Sequence, residues 1–239
     1  MDEQTQYWQK FDETFFNDGY RLCNAFIGQD FSIKNIFAAQ KQLYVVVDQL
    51  IDSFIGRSRT EGNPPECRKG CAFCCHQTVL ASTYELLYLA DFLKKKYPGK
   101  LVESVIKKLE AKADLTRGIK MDSLLKFKMP CPLLHPTGGY CTSYQARPVA
   151  CRIYLSSSEA SCRLDLEQPE NDNLFPSLYE MPLRAGRMLN EGFQARLREG
   201  RIDKLQVFET TIEQGVLSAF EPEAAQKWLT GKKVFKQLV

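Results

Sequence analysis

Histidine is scarce in this chain, with His76 and His135 the only two in 239 residues. That argues against Cys2His2 sites and histidine-rich catalytic centres. No G-x-G-x-x-G, P-loop, G-x-S-x-G or H-E-x-x-H motif occurs, so the common phosphate-binding, serine-hydrolase and zinc-protease signatures are missing. No stretch reaches the ~18 apolar residues that a membrane span requires. The longest apolar stretches are broken by Asp48, Asp52, Asp91 and lysines. The opening Met1-Asp2-Glu3-Gln4 has neither the basic nor the apolar part of a secretory signal, so a cytoplasmic location with reduced thiols is expected. An excess of one charge is also missing: 32 basic residues face 29 acidic ones, a net charge of +3. A nucleic-acid partner would call for concentrated positive charge, and none is expected. Lys94–Lys96, Lys107–Lys108 and Lys232–Lys233 read as solvated helix surface, the first of them complementing a helix C-terminus. There is no repeat and no low-complexity tract.

Hydrophobic residues make up 44% and charged residues 26%, an ordinary balance for a chain with an apolar core. Three zones divide it, and together they are expected to form one compact domain. Residues 1–60 read as helical. Ile36, Leu43, Val47, Leu50 and Phe54 fall on one face of a helix that Gly56 is placed to end. Tyr7, Trp8, Phe11, Phe15, Phe16, Tyr20 and Phe26 recur at near-helical spacing and are expected as core contacts. Residues 61–165 open on the break Gly62-Asn63-Pro64-Pro65 and hold most of the cysteines. Two helices are predicted there. Ser82-Thr83-Tyr84-Glu85 is a capping box that starts the first, with Leu86, Leu89, Ala90 and Leu93 buried and Tyr97-Pro98-Gly99 as its stop. The second carries Val102, Val105, Ile106 and Leu109 on one side. Asp91, Glu103 and Glu110 fall on polar helix faces and read as solubilising charge. From Pro130 to Pro148 prolines and glycines are too dense for regular structure. Residues 166–239 begin with a polar linker, Glu167 to Pro176, and return to helix through Met188, Leu189, Phe193 and Leu197, then Leu217 and Phe220. Glu221-Pro222-Glu223 is expected to start a last helix with proline in its first turn. The expected fold class is mainly α, with helical N- and C-terminal segments around an irregular, loop-rich cysteine metal-binding module.

The chain has nine cysteines, eight of them between residues 67 and 162. Cys67, Cys71, Cys74 and Cys75 form a C-x3-C-x2-C-C group; Cys131, Cys141, Cys151 and Cys162 are spread more widely. Short spacings let sulfurs converge on one point, and Gly70 can relax the backbone between them. Four cysteines in so short a stretch, beside Arg68 and Lys69, make a poor core pattern, and a reducing compartment argues against disulfides. All eight are therefore candidate metal ligands. Adjacent side chains diverge in both helix and strand, so two readings stand for Cys74 and Cys75. Either two centres lie close together, one served by each, or only one of the pair is a ligand. All-sulfur ligation suits zinc and iron–sulfur clusters, including 4Fe-4S, alike. Arg147 and Arg152 are candidate cofactor-binding residues, able to offset the negative charge of a thiolate centre and donate to its sulfurs, or else ordinary ion pairs. Pro148 reads as a turn that fixes the approach of Cys151. His76 and His135 are not needed as ligands, and Cys23 reads as a core thiol.

Cys67-x3-Cys71-x2-Cys74 with Phe73 also matches the cluster motif of radical SAM enzymes. The alternating strand–helix texture of their usual barrel does not follow it. A wider pattern resembles another family. Cys67-x3-Cys71-x2-Cys74-Cys75, then Cys131-Pro132-x-Leu134, then Cys141-x-x-Tyr144-x-x-Arg147-Pro148-x-x-Cys151-Arg152 resembles the CxxCxxCC family, described as zinc- or iron-chelating, with flagellin lysine N-methylases among its relatives. Ser143 stands where the family usually has Ile, and Cys162 lies beyond the tightest part of the pattern. The resemblance implies metal chelation by one or two centres, zinc or iron–sulfur. It leaves three roles open: a metal-held structural protein, an iron–sulfur enzyme such as a SAM-dependent lysine N-methylase with a protein substrate, and an electron-transfer or metal-delivery module. Metal ions are the expected partners, with neither nucleic acid nor membrane.

Overall fold

Asp2 accepts the Thr5 amide on its carboxylate and so starts α1 (Glu3–Ile27); Ser32 does the same for α2 (Ile33–Thr60) through Asn35. These two long helices open a computed structural model that describes residues 2–200 and 205–237. The remaining elements, in chain order, are β1 (Leu80–Ser82), α3 (Thr83–Lys96), α4 (Gly99–Leu115), α5 (Met121–Lys126), α6 (Val149–Arg152), α7 (Glu159–Glu167), α8 (Glu180–Arg198), β2 (Glu209–Thr211), α9 (Ile212–Phe220) and α10 (Ala224–Leu229). The fold is mainly α, as the sequence leads one to expect.

The capping box at Ser82 and Glu85 is formed, and α3 buries Leu86, Leu89, Ala90 and Leu93 before ending at Tyr97. Two expected boundaries move. Gly56 does not end α2, which continues to Thr60; Phe54, Ile55 and Ser58 around it are buried or half-buried, which outweighs a glycine cost of about 1 kcal/mol. The stop is Gly62, at φ 76°. Pro222 lies before α10 rather than in its first turn. Glu223, at φ 58°, turns the chain, and Ala224 and Trp228 are the residues that bury. A third expectation also fails. Tyr7 and Phe26 are exposed and the other α1 aromatics only half-buried, while Gly19, Cys23 and Ile27 make the core contact. Tyr7, Trp8, Phe11 and Phe15 instead form a chain of ring contacts along the helix.

α1 and α8 run parallel, with Asp12 bonded to Arg184 near one end and Asn24 to Arg196 near the other. Their crossing is close because glycine occupies both sides. A Cβ on Gly19 would lie 1.9 Å from the Leu189 carbonyl oxygen, and one on Gly192 would lie 1.9 Å from that of Phe16. β1 and β2 pair antiparallel, Leu80 opposite Thr211 and Ser82 opposite Glu209, and each strand feeds directly into a helix, α3 or α9. The two helices pack together, and α9 also covers α4. A buried polar chain joins this layer to α8: Tyr84 Oη donates to Asn190 Oδ1 at 2.6 Å, and Gln194 Nε2 donates to Ser82 Oγ at 3.1 Å. One apolar core runs through Cys23, Leu43, Leu89, Phe193, Val216 and Trp228, drawing on all three zones of the chain. The cysteine-bearing loops lie against it, with Cys131 and Cys141 touching its edge.

Candidate metal centre

Residues 66–76 have little regular structure beyond a 3-10 turn, Phe73–His76. Their shape comes from Gly70, whose φ of 91° lies in the region an L side chain avoids, and from the Cys71 amide bonding the Arg68 carbonyl at 3.0 Å. A distant segment clips this stretch in place. The Glu66 amide donates to the Ser156 carbonyl at 3.1 Å, and the Ser156 amide donates to the Cys67 sulfur at 3.3 Å. Arg68 pairs with Glu159. Ser158 then caps α7, which packs on the 3-10 turn and places Cys162 there, buried.

The other side of the turn holds a second segment. The Met129 amide donates to the His76 carbonyl at 2.8 Å, and the Cys131 amide to the Cys75 carbonyl at 2.7 Å. The chain loops out and back, with the Thr142 amide on the Leu133 carbonyl at 2.8 Å and Cys141 bridged to Leu134. The loop tip touches the first segment, since a Cβ on Gly139 would lie 2.7 Å from the Gly70 carbonyl oxygen. Pro148 starts α6, and its carbonyl accepts the Cys151 amide at 3.0 Å, so it does set the approach of Cys151.

All nine cysteines are free thiols; Cys67 is exposed, Cys162 and Cys23 are buried, and the others lie between. Burial is the main influence on most of them and favours the neutral form. It raises Cys67, Cys71, Cys141 and Cys162, raises Cys151 well above the ordinary range, and pushes Cys131 up to about 11. Backbone amides oppose it at four sulfurs: Ser156 at Cys67, Phe73 at Cys71, Leu133 at Cys131 and Ser143 at Cys141. The Cys75 thiol donates to the Cys74 sulfur, which lowers Cys74 and raises Cys75. Cys23 lies apart in α1, pushed up to about 12 by burial, as expected of a core thiol.

The two arginines differ. Arg152 is buried and fully engaged: Nη1 donates to Asp48 at 2.5 Å, Nη2 to the Gln145 carbonyl at 2.6 Å and Nε to the Arg147 carbonyl at 2.9 Å. Its guanidinium also lies 3.9 Å from the Tyr44 ring centroid. All three of its nitrogens are thus held in the manner of an ion pair, while its charge also favours the Cys141 thiolate. Arg147 stacks on Tyr144 at 3.8 Å and reaches Asp48 only at 4.0 Å. Its charge favours the thiolates of Cys74, Cys141 and Cys151, and its Nε is buried with no hydrogen-bond partner. His76 Nδ1 bonds the Ala72 carbonyl at 3.0 Å, and His135 stacks on Tyr140.

Among the described residues, no group of three or more Cys, His, Asp or Glu side chains is set to hold a metal ion as it stands. The eight thiols are neighbours rather than a closed coordination shell. The donor chemistry still fits a zinc or iron–sulfur centre: thiols with amides turned toward their sulfurs, plus two buried donors beside Cys141, Arg147 Nε and Ser143 Oγ, that lack an acceptor. The sequence model of one family matches residues 66–174. The family is described as a putative zinc- or iron-chelating domain. The matched span takes in all eight clustered cysteines, Cys162 included. No curated protein and no solved structure matches the chain.

Several polar contacts that hold residues 66–174 in shape carry no signal in the sequence. Lys128 Nζ donates to Asp165 Oδ2 at 2.7 Å, and Gln77 Nε2 reaches both Tyr154 Oη, at 2.7 Å, and Asp165, at 3.2 Å. Four separated segments meet there. Glu85, buried on α3, accepts the Val149 amide at 2.8 Å and so fixes the start of the short helix carrying Cys151. The capping box announces Glu85 and its bond to Ser82, but not its bond to Val149. Lys112 is buried and donates to the Met129 carbonyl at 3.3 Å, close to Cys131. A pocket of about 370 Å³ opens beside Cys71, lined by Arg68, Lys69, Phe73, His76 and Glu159.

Proposed function

We propose that this chain binds zinc or an iron–sulfur cluster through Cys67, Cys71, Cys74, Cys75, Cys131, Cys141, Cys151 and Cys162, and that the metal holds the segments of residues 66–174 together. One observation carries this reading: residues 66–174, which match the zinc- or iron-chelating family, contain eight free thiols on segments that meet around one 3-10 turn. Proline and glycine leave the 130–148 stretch one isolated bridge and no extended ladder, so binding energy there becomes folding energy. Bound metal would supply positive charge that keeps the thiols ionised, and an iron–sulfur core would add one-electron chemistry. Arg147, whose buried Nε has no partner, would donate to a sulfur, and Arg152 would brace the loop while its charge favours Cys141.

A second reading, favoured by the open pocket beside Cys71, is an iron–sulfur enzyme such as a SAM-dependent lysine N-methylase acting on a protein. Purification without oxygen, followed by metal and sulfide analysis and a visible spectrum, tests the first reading. A band near ~400 nm with iron and acid-labile sulfide identifies a cluster, and colourless protein carrying zinc identifies closed thiolate sites. Protein that holds neither metal, and takes up neither on reconstitution, overturns the reading. With a cluster in hand, binding of SAM in the pocket separates the enzyme from the purely structural role.

A further inference from the structure

Hydrogen-bonded clips gather the thiols on two sides of the 3-10 turn, with the Lys128–Asp165 pair and the Gly139–Gly70 contact joining the sides. On one side, residues 66–68 are tied to residues 156–159 through Glu66, Cys67 and Ser156, and through Arg68 and Glu159. Helix α7 packs on the turn from this side and carries Cys162. On the other side, residues 75–76 are tied to residues 129–131 through the Cys75 and His76 carbonyls. The 131–142 loop and α6 follow, carrying Cys141 and Cys151.

The sulfurs group by proximity along much the same line. Cys67 lies near Cys71, Cys74 and Cys162, and Cys162 near Cys71 and Cys74. Cys75 lies near Cys74, Cys131 and Cys151, and Cys151 near Cys131, Cys141 and Cys74. The two sets touch at Cys74, which adjoins Cys75 and Cys151. Four thiolates are the ligand number of a closed zinc site and of a cubane cluster alike.

We propose two four-cysteine centres, one built by Cys67, Cys71, Cys74 and Cys162 and the other by Cys75, Cys131, Cys141 and Cys151, with the adjacent pair Cys74–Cys75 divided between them. This rests on the reading of the chain as a thiolate metal binder. The division resolves the problem posed by adjacent ligands. Neighbouring side chains cannot easily converge on one ion, but from one turn they can serve two. Residues distant in sequence complete each centre. The first links the turn to α7, the second links it to the Pro/Gly-rich loop and α6, and Arg147 stands by the sulfurs of both.

Cadmium is the probe, because it takes thiolate ligands whichever metal is native. The full chain is reduced, stripped of metal and titrated with cadmium without oxygen, then followed by cadmium NMR. Two ions per chain and two resonances in the all-thiolate region are expected. Cys74→Ser and Cys162→Ser should each abolish one resonance, and Cys75→Ser and Cys151→Ser the other. Where a serine variant loses its helical circular dichroism, Cys→His at the same position keeps a donor and should shift only that resonance. A single ion per chain in the wild type overturns the division while leaving metal binding intact. So does loss of the same resonance in Cys74→Ser and Cys75→Ser. No bound cadmium at all overturns the parent reading as well.

Discussion

At Arg152 three donors meet an aspartate and two carbonyls while the guanidinium plane covers Tyr44. Lysine there would keep the charge but lose the planar fork and the stacking. Asp48 is 47% exposed, so water screens part of the pair. We expect Arg152→Lys to cost roughly 2–4 kcal/mol, read as a lower midpoint in denaturant with metal per folded chain unchanged. Arg147→Gln should do the reverse: little change in stability, but faster metal loss to a chelator. The sequence presents both as arginines beside cysteines. What separates them is Asp48, a residue of α2 about a hundred positions earlier, and no local spacing reveals it. The thiols give a second prediction at this scale. In the metal-free chain burial lifts Cys131 to about 11 and Cys23 to about 12, above the ordinary value of 9.0. A raised thiol favours folding while it is neutral and loses that advantage as pH rises through the folded value. The metal-free melting temperature should therefore fall between pH 9.0 and about 12, a window checked by thermal unfolding at stepped pH.

Among the elements, the α1–α8 crossing is the most sensitive to small changes. The would-be Cβ atoms of Gly19 and Gly192 strike backbone carbonyls, which cannot rotate aside. Gly192→Ala should force the helices apart and cost about 1–3 kcal/mol or more, as a fall in melting temperature with the metal sites intact. Elements whose signals are local were readable in advance. The capping box and the Tyr97-Pro98-Gly99 stop placed α3 to the residue, because cap and breaker act within a turn of chain. Gly56 and Pro222 misled for the opposite reason: burial on both sides carried α2 through the glycine, and the reversal at Glu223 set the start of α10. The cysteine loops were readable as irregular and as a candidate site. Their partners were not, because Ser156, Asp165 and Glu85 reach them through tertiary bonds.

Across the whole molecule, two kinds of cohesion coexist. α1, α2, α3, α8 and α9 share one buried apolar core, whereas the loops rest on scattered hydrogen bonds and on thiols that metal would unite. Removing metal should leave most of the far-ultraviolet helical signal while opening residues 127–158 to protease, visible as new fragments by mass spectrometry. No described helix is long and apolar enough to cross a membrane. The position of α3 has a further consequence. It lies inside the 66–174 span by sequence, yet Tyr84, Leu86, Leu89 and Leu93 are buried in a core to which α1, α2, α8 and α9 contribute. The family signature thus marks a portion of a fold that is not portable. Residues 66–174 produced alone should aggregate even when supplied with metal, and rescue should come from the missing helices added as separate chains. Whatever centre the matched span assembles is therefore held up by helices that lie on either side of it in the chain.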